Sequence, residues 1–435
     1  MMKLELRDKQ VLVLGLGDTG LSALRWLYRQ GACLSVADTR KTPPGVDALK
    51  AEMPEVKLHT GAFTDGAFKD AEIIVISPGV PKAEPLVQAA IKRSVPVVGD
   101  VELFAQFKPA SAKVIAITGT NGKSTVTTLV GEMCKAAGLK TVVAGNIGLP
   151  VLDTLNGETP DVYVLELSSF QLETTASLNA DAATVLNISE DHMDRYQGLE
   201  DYAAAKTRIF AGHGDGVQVL NRQDAWSLGM AIQGRVCVTF GLDEAANAAD
   251  YGLSHQTDKT LLMRGNQELL DTEQMRIAGL HNAANALAAM ALCEAIGVPG
   301  AAMIKALCTN VDATYAALQV LVSPNSQRRI VLIAGGDGKG QDFTPLREIV
   351  KTYARAVVLV GRDAPLIESA LQGSNAQVLR ASDLENAVEQ AYHLAVNGDA
   401  VLLSPASGAS EHRNYAHRGE VFAQSVKMFA RVRSG

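Results

Sequence analysis

The run Ile117-Thr118-Gly119-Thr120-Asn121-Gly122-Lys123-Ser124-Thr125, entered from the apolar segment Lys113-Val114-Ile115-Ala116, constrains this chain more than any other stretch. It reads as a buried strand that ends in a glycine-rich turn, followed by a helix beginning at Lys123-Ser124. Backbone N–H groups in such a turn form an anion cradle at the positive end of the helix, the lysine supplies a mobile cation, and the serine hydroxyl can ligate magnesium. That combination suits a nucleoside triphosphate. The loop is shorter than the usual G-x-x-x-x-G-K-[ST] pattern, because Ile117 stands where the first glycine is expected.

The chain has 435 residues, enough for about three domains that each bury a core. Hydrophobic residues make up 47% and charged residues 20%, which argues against disorder. The net charge is −7 and no block of lysine and arginine exists, so nucleic-acid binding is not expected. Five cysteines without a C-x-x-C pair fit buried thiols in a reducing compartment better than disulfides or zinc. No apolar leader or membrane-length apolar stretch stands out, so a cytoplasmic protein without a membrane partner is expected. A monomer is expected.

Three blocks each open with a strand that runs into a glycine turn, at residues 11–14, 114–117 and 330–334. Further apolar runs, at residues 73–76, 162–167, 184–188, 357–360 and 400–403, alternate with amphipathic helical stretches. Unbroken apolar runs of this length imply parallel sheets covered on both faces. The expected architecture is α/β, with three domains in series: residues 1–107, 108–308 and 309–435.

In the first block, Gly15-Leu16-Gly17-Asp18-Thr19-Gly20 matches G-x-G-x-x-G between a strand and a helix, and Asp38 follows at the spacing of a ribose-binding carboxylate. Taken alone, this would suit an NAD-dependent oxidoreductase, although the same turn can hold any nucleoside diphosphate. In the middle block, Glu166 falls at the carboxyl end of a strand, on the rim where open α/β sheets bind ligands, and His192 lands on the same rim. Ser124, Glu166 and an imidazole would suit magnesium held partly by substrate phosphates. Lys206 lies on a helical stretch over residues 199–210, where spacing cannot separate a solvated surface lysine from a site residue. Asn282 and Asn285 sit one turn apart at a helix start, placed either to read an adenine edge or to cap the helix.

Together these motifs resemble the Mur ligase family, the ATP-dependent amide ligases that build the peptidoglycan stem peptide in cell-wall biogenesis. Residues 145–148, 166–173, 190–196, 282–288, 335–342, 403–405 and 414–419 extend the resemblance over nearly the whole chain. It implies a Rossmann-like domain for a UDP-linked substrate, a central P-loop ATPase-like domain, and a Rossmann-like C-terminal domain that lacks its first strand. The turn at residues 15–20 with Asp38-Thr39-Arg40 favours a member that adds D-glutamate to UDP-N-acetylmuramoyl-L-alanine through an acyl phosphate. By the same resemblance, Asp18, Thr19, Asp38 and Thr39 lie near the uridine, while Asn146 and Ser168 meet the muramoyl group. Gly119, Thr120, Asn121, Gly122, Lys123, Ser124 and Thr125 hold ATP with Asn282 and Asn285, and Lys123 neutralises the transferring phosphate. Ser124, Glu166 and His192 place magnesium, Lys206 is the lysine that is carbamylated into an anionic metal ligand, and Thr309, Lys339 and Ser410 hold D-glutamate.

The chain departs from that pattern after residue 308. The family's Gly-[Leu/Phe]-Pro-His-Arg and Asn-Asp-Ser-Lys-Ala-Thr-Asn segments are absent, and only Thr309-Asn310 resembles the tail of the second. Residues 406–412 are also irregular. Losing charged groups that hold ATP should remove several kcal/mol of transition-state stabilisation, so an inactive nucleotide-sugar-binding remnant is the alternative expectation.

Overall fold

The computed structural model describes residues 3–212, 214–275, 279–308, 329–335, 343–344, 346–396, 398–405, 422 and 425–426. The chain divides into two compact units, Met1–Val311 and Asp312–Gly435.

The first unit holds two sheets. Strands β1 (Gln10–Leu14), β2 (Cys33–Asp38), β3 (Lys57–Thr60), β4 (Ile73–Ile76) and β5 (Val97–Val98) form a parallel sheet in the order β3-β2-β1-β4-β5. β1 is apolar on both faces for a visible reason. Val11 and Val13 pack in one cluster with Leu24 and Leu27 of the helix Asp18–Arg29, whereas Leu12 and Leu14 pack in another with Phe68 and Val87. A strand covered on both sides shows no polar alternation. The strand order reverses at β1, which opens a crevice at its carboxyl end, where the Asp18–Arg29 helix begins.

The second sheet has nine strands: β6 (Lys113–Thr118), β7 (Thr141–Gly145), β8 (Val162–Glu166), β9 (Ala182–Val185), β10 (Val217–Asn221), β11 (Cys237–Phe240), β12 (Tyr251–His255), β13 (Thr260–Arg264) and β14 (Gln267–Asp271). Their order is β14-β13-β12-β11-β10-β9-β6-β8-β7, with antiparallel pairing only along β12-β13-β14. β6 lies between β8 and β9, so the glycine turn that follows it emerges at a second switch point. Ile115 and Ile117 pack with Val130 and Met133 of the helix Lys123–Ala136. Among the boundaries that differ from expectation, two lie beside the glycine loop. The strand expected over residues 184–188 ends at Val185, because Asn187 turns away to bond the glycine loop. The helical stretch over residues 199–210 is α-helical over Leu199–Thr207 and tightens into a 3-10 turn at Arg208–Phe210, where the Arg208 side chain reaches out to the Leu172 and Thr175 carbonyls.

The second unit contains a parallel sheet of β15 (Ile330–Gly335), β16 (Ala354–Val360), β17 (Gln377–Arg380) and β18 (Ala400–Pro405), in the order β17-β16-β15-β18. Among the described residues, no strand of this unit precedes β15. No described helix is long and apolar enough to cross a membrane.

The crevice beside β1 depends on close backbone approach. Gly15 adopts φ +90°, and a Cβ added at Gly20 would lie 1.9 Å from the Gly15 carbonyl oxygen. Gly20→Ala should therefore lower stability by about 3 kcal/mol. Thermal unfolding would read this as a lower midpoint, and an unchanged midpoint would contradict the packing described.

Candidate active site

Two sites at the carboxyl ends of neighbouring sheets make up the candidate active site. The first is a cleft of about 480 Å³ lined by Gly17, Asp18, Thr19, Thr39, Asn146 and Gln171, among others. One wall is the first turn of the Asp18–Arg29 helix, whose leading N–H groups favour an anion. Asp38 lines the cleft but is already engaged. Its Oδ2 accepts from Leu16 N–H at 2.7 Å and from Arg40 Nη2 at 2.6 Å, and its Oδ1 accepts from Arg40 N–H at 2.8 Å and Nε at 2.9 Å. The Arg40 guanidinium holds the Asp38 carboxyl down to about 2. Asp38 thus fixes both the glycine turn and Arg40, the last residue of the Asp38-Thr39-Arg40 segment singled out in the sequence.

The opposite wall comes from the second sheet. Gly145 has φ +115°, and a Cβ there would meet the Glu166 carbonyl oxygen at 2.2 Å. This close approach brings Asn146 against Glu166: Asn146 N–H donates to the Glu166 carbonyl at 2.8 Å, and its Nδ2 donates to Oε1 at 2.9 Å. Ser168 begins the short helix Ser169–Leu172, where Gln171 N–H donates to its Oγ at 3.2 Å. The loop of the first sheet at Ser77–Val80 is held from across the cleft. Arg195 donates to the Pro78 carbonyl at 2.8 Å and to Glu173 Oε2 at 3.0 Å, with its guanidinium 4.0 Å from the Phe170 ring.

The second site is the glycine loop after β6. Gly119 and Gly122 adopt φ +153° and +83°, conformations that strain any residue with a Cβ. Asn187 clamps the loop: its carbonyl accepts from Thr120 N–H at 2.9 Å, its Oδ1 accepts from Asn121 N–H at 2.8 Å, and its Nδ2 donates to the Asn121 carbonyl at 3.1 Å. Asn285 sits over the loop, with its Oδ1 2.6 Å from where a Gly122 Cβ would be, and its Nδ2 donates to Asn282 Oδ1 at 3.2 Å.

Lys206 is no surface lysine. It is 1% exposed, and it donates to Thr118 Oγ1 at 3.2 Å and to the Gly119 carbonyl at 2.9 Å. Lys123 donates to the same carbonyl at 3.0 Å and to that of Thr120 at 2.9 Å. Burial, reinforced by the Lys123 charge, pushes Lys206 down to about 7. Much of its amine is therefore neutral near pH 7, the form that can react with carbon dioxide. Burial also lowers Lys123, opposed by the Glu166 and Asp191 charges. Asp191, within the 190–196 segment but given no role there, therefore acts on both lysines.

Glu166 is 1% exposed, and its Oε2 has no hydrogen-bond partner. An unpaired buried carboxylate oxygen at this rim fits a hard cation. Among the described residues, no three His, Cys, Asp or Glu side chains cluster as a metal site, so such an ion would need other oxygen ligands. His192 has φ +55° and lies 3.5 Å from Asp191 Oδ2, with its ring centroid 4.8 Å from that of Phe170. Thr309, Lys339 and Ser410 lie outside the described residues.

Known families match in the same order. A model of the Mur ligase MurD-like N-terminal domain matches residues 9–99, the Mur ligase middle domain matches 117–293, and the Mur ligase glutamate ligase domain matches 293–407. A UDP-N-acetylmuramoylalanine--D-glutamate ligase of Methylobacillus flagellatus is 59% identical over 450 residues, covering 97% of this chain and 98% of that protein. Enzymes of the same name from Thiobacillus denitrificans and Nitrosospira multiformis are 49% and 46% identical, each covering 99% of this chain and 98% of the relative. The 450 aligned positions exceed the 435 residues of this chain, so the alignment places gaps in it.

The Asp38 network has a pH signature. Its folded pKa of about 2 lies below the ordinary 3.8, so it contributes stability that is present above 3.8 and lost as pH falls through about 2. Asp38→Asn should lower the thermal midpoint at pH 7, with the difference from the parent narrowing below pH 4 and vanishing near pH 2. A difference independent of pH would show that the carboxylate charge plays no part.

Proposed function

The chain belongs to the Mur ligase family, and from that membership we propose that it joins D-glutamate to UDP-N-acetylmuramoyl-L-alanine, forming an amide while ATP becomes ADP and phosphate. The relatives that carry this activity in their names cover the chain almost end to end, so the inactive-remnant alternative has no support. Family membership also sets aside the NAD-dependent oxidoreductase. The observation that carries the reading is the Asn146–Glu166 bond at 2.9 Å, which joins the cleft to the strand beside the glycine loop. A bound sugar-linked acid and a bound triphosphate would meet there.

A carboxylate is a poor electrophile. Transfer of the terminal phosphoryl group to the L-alanyl carboxylate gives an acyl phosphate. The D-glutamate amine then attacks the carbonyl carbon, and the tetrahedral adduct collapses with loss of phosphate and a proton. In this scheme the first-turn N–H groups beside Asp18 and Thr19 hold the diphosphate, and Thr39 lies at the uridine. Asn146 and Ser168 orient the muramoyl arm, while Asn282 and Asn285 approach the adenine. The first-turn N–H groups of the Lys123–Ala136 helix and the Lys123 ammonium neutralise charge on the transferring phosphoryl group, while Asn187 holds the Thr120 and Asn121 N–H groups, so catalysis is mainly positioning and electrostatics. Magnesium, when bound, would be held by Glu166, Ser124, His192 and a carbamylated Lys206 together with substrate phosphates, and would add to that neutralisation. The proposed roles of Thr309, Lys339 and Ser410 at D-glutamate rest on the family resemblance alone. A cytoplasmic monomer acting on small molecules, without nucleic acid or membrane, completes the reading.

Phosphate release should require ATP, magnesium, UDP-N-acetylmuramoyl-L-alanine and D-glutamate together. Release that continues at the same rate without D-glutamate would sink the assignment. Lys123→Ala should lower kcat by roughly 10²–10³-fold in the same assay, the range for losing one preorganised charge-stabilising group.

A further inference from the structure

The helix Asp100–Phe107 carries two buried carboxylates that are treated very differently. Glu102 is fully satisfied. Its Oε2 accepts from Ala176 N–H at 2.6 Å and Ser177 N–H at 3.0 Å, and its Oε1 accepts from Ser177 Oγ at 2.6 Å and Gln106 Nε2 at 2.8 Å. Asp100 is 3% exposed, yet its carboxylate has a single side-chain bond: Oδ2 accepts from Gln171 Nε2 at 3.3 Å, while Oδ1 has no partner. Burial pushes its pKa up to about 6, opposed by Gln171 and by the Val101 and Asp100 backbone N–H groups, so near pH 7 it is mostly ionised and its incompletely paired charge lowers stability.

An ionised carboxylate only accepts hydrogen bonds. Gln171 must therefore turn its NH₂ toward Asp100, which leaves Oε1 facing Ser168. That oxygen takes Ser168 N–H at 3.1 Å and the Ser168 hydroxyl at 3.3 Å. Ser168 Oγ in turn accepts from Gln171 N–H at 3.2 Å. With its proton given to Gln171 and one lone pair engaged, the hydroxyl has one lone pair left. Ser168 N–H holds the Oε1 end of the amide and Asp100 holds the Nε2 end; without Asp100 the Gln171 side chain is held at one end alone, and the serine proton is less firmly kept from turning outward.

We propose that Asp100 is a positioning residue: through the Gln171 amide it fixes the Ser168 hydroxyl as a hydrogen-bond acceptor, selecting an N–H donor such as the amide of an acylated amino acid. This rests on the reading that the sugar-linked acid occupies the cleft lined by Gln171.

Asp100→Leu, Asp100→Asn, Gln171→Leu and the Asp100→Leu/Gln171→Leu pair test it in the full chain. The measurements are calorimetric affinity for UDP-N-acetylmuramoyl-L-alanine, KM and kcat for phosphate release, and the thermal midpoint. Asp100→Leu should weaken binding and raise KM about tenfold, the size of one lost hydrogen bond, with kcat within about threefold. Its midpoint at pH 8 should hold or rise, because a half-paired buried charge has gone. Asp100→Asn keeps an acceptor oxygen and should bind within about threefold of the parent. The double variant should bind no more weakly than Gln171→Leu alone. A carboxylate with only a structural role would give the reverse, a lower midpoint with unchanged affinity, and that result overturns the proposal, as would additive losses in the double variant. If the parent binds the substrate without releasing phosphate, the ligase assignment fails, while the affinity series still decides the role of Asp100.

Discussion

Two ammonium groups share one carbonyl oxygen. Lys123 and Lys206 both donate to Gly119, from the helix after the loop and from a helix reached far later in the chain. Burial and mutual repulsion disfavour holding both charges, and the structure relieves this by bringing Lys206 down to about 7. Much of the surrounding architecture holds the loop where that contest occurs. β9 stops at Val185 so that Asn187 can bond the loop from the side, and Asn285 presses on Gly122 from a third helix. The result is a glycine loop with two lysine side chains against it at the N-terminal end of a helix, suited to a polyphosphate.

The same economy of contacts joins this loop to the cleft. Asn146 lines the cleft and bonds Glu166, while Arg195 reaches back from the segment after His192 to the Pro78 carbonyl. The aromatic group of Phe170, Tyr196 and Tyr202 packs along this seam, and His192 lies on Phe170. Displacement of the Ser77–Val80 loop would therefore be felt at Arg195 and, through it, at Glu173. Proximity effects of this kind account for much of the catalysis available to a reaction in which two bound molecules must meet.

Much of this was legible in the residue order. Apolar runs such as residues 11–14 and 330–334 become strands covered on both faces, and glycines in strand-to-helix turns mark where the backbone must adopt positive φ or approach another strand closely. The glycine loop, Glu166 and the Asp18–Thr19 turn lie where the pattern places them. Other features were not readable. Nothing local shows that Lys206 is buried, that Asp38 is spent on Leu16 and Arg40, or that Asp100 faces Gln171. Each depends on a partner supplied by a distant segment or on the depth at which a helix packs.

What the sequence determined by itself is therefore the kind of parts: parallel α/β layers, an anion-binding turn at the end of a strand, and side chains able to hold phosphate and metal. Those follow from steric limits on the backbone and from the periodicity of apolar residues, which act over a few positions. Only the tertiary structure decided which charges are paired, which are left half-satisfied, and which groups face one another across the cleft. Electrostatic and hydrogen-bond energies depend on distance and burial, and the strand order β9-β6-β8, rather than chain order, sets both.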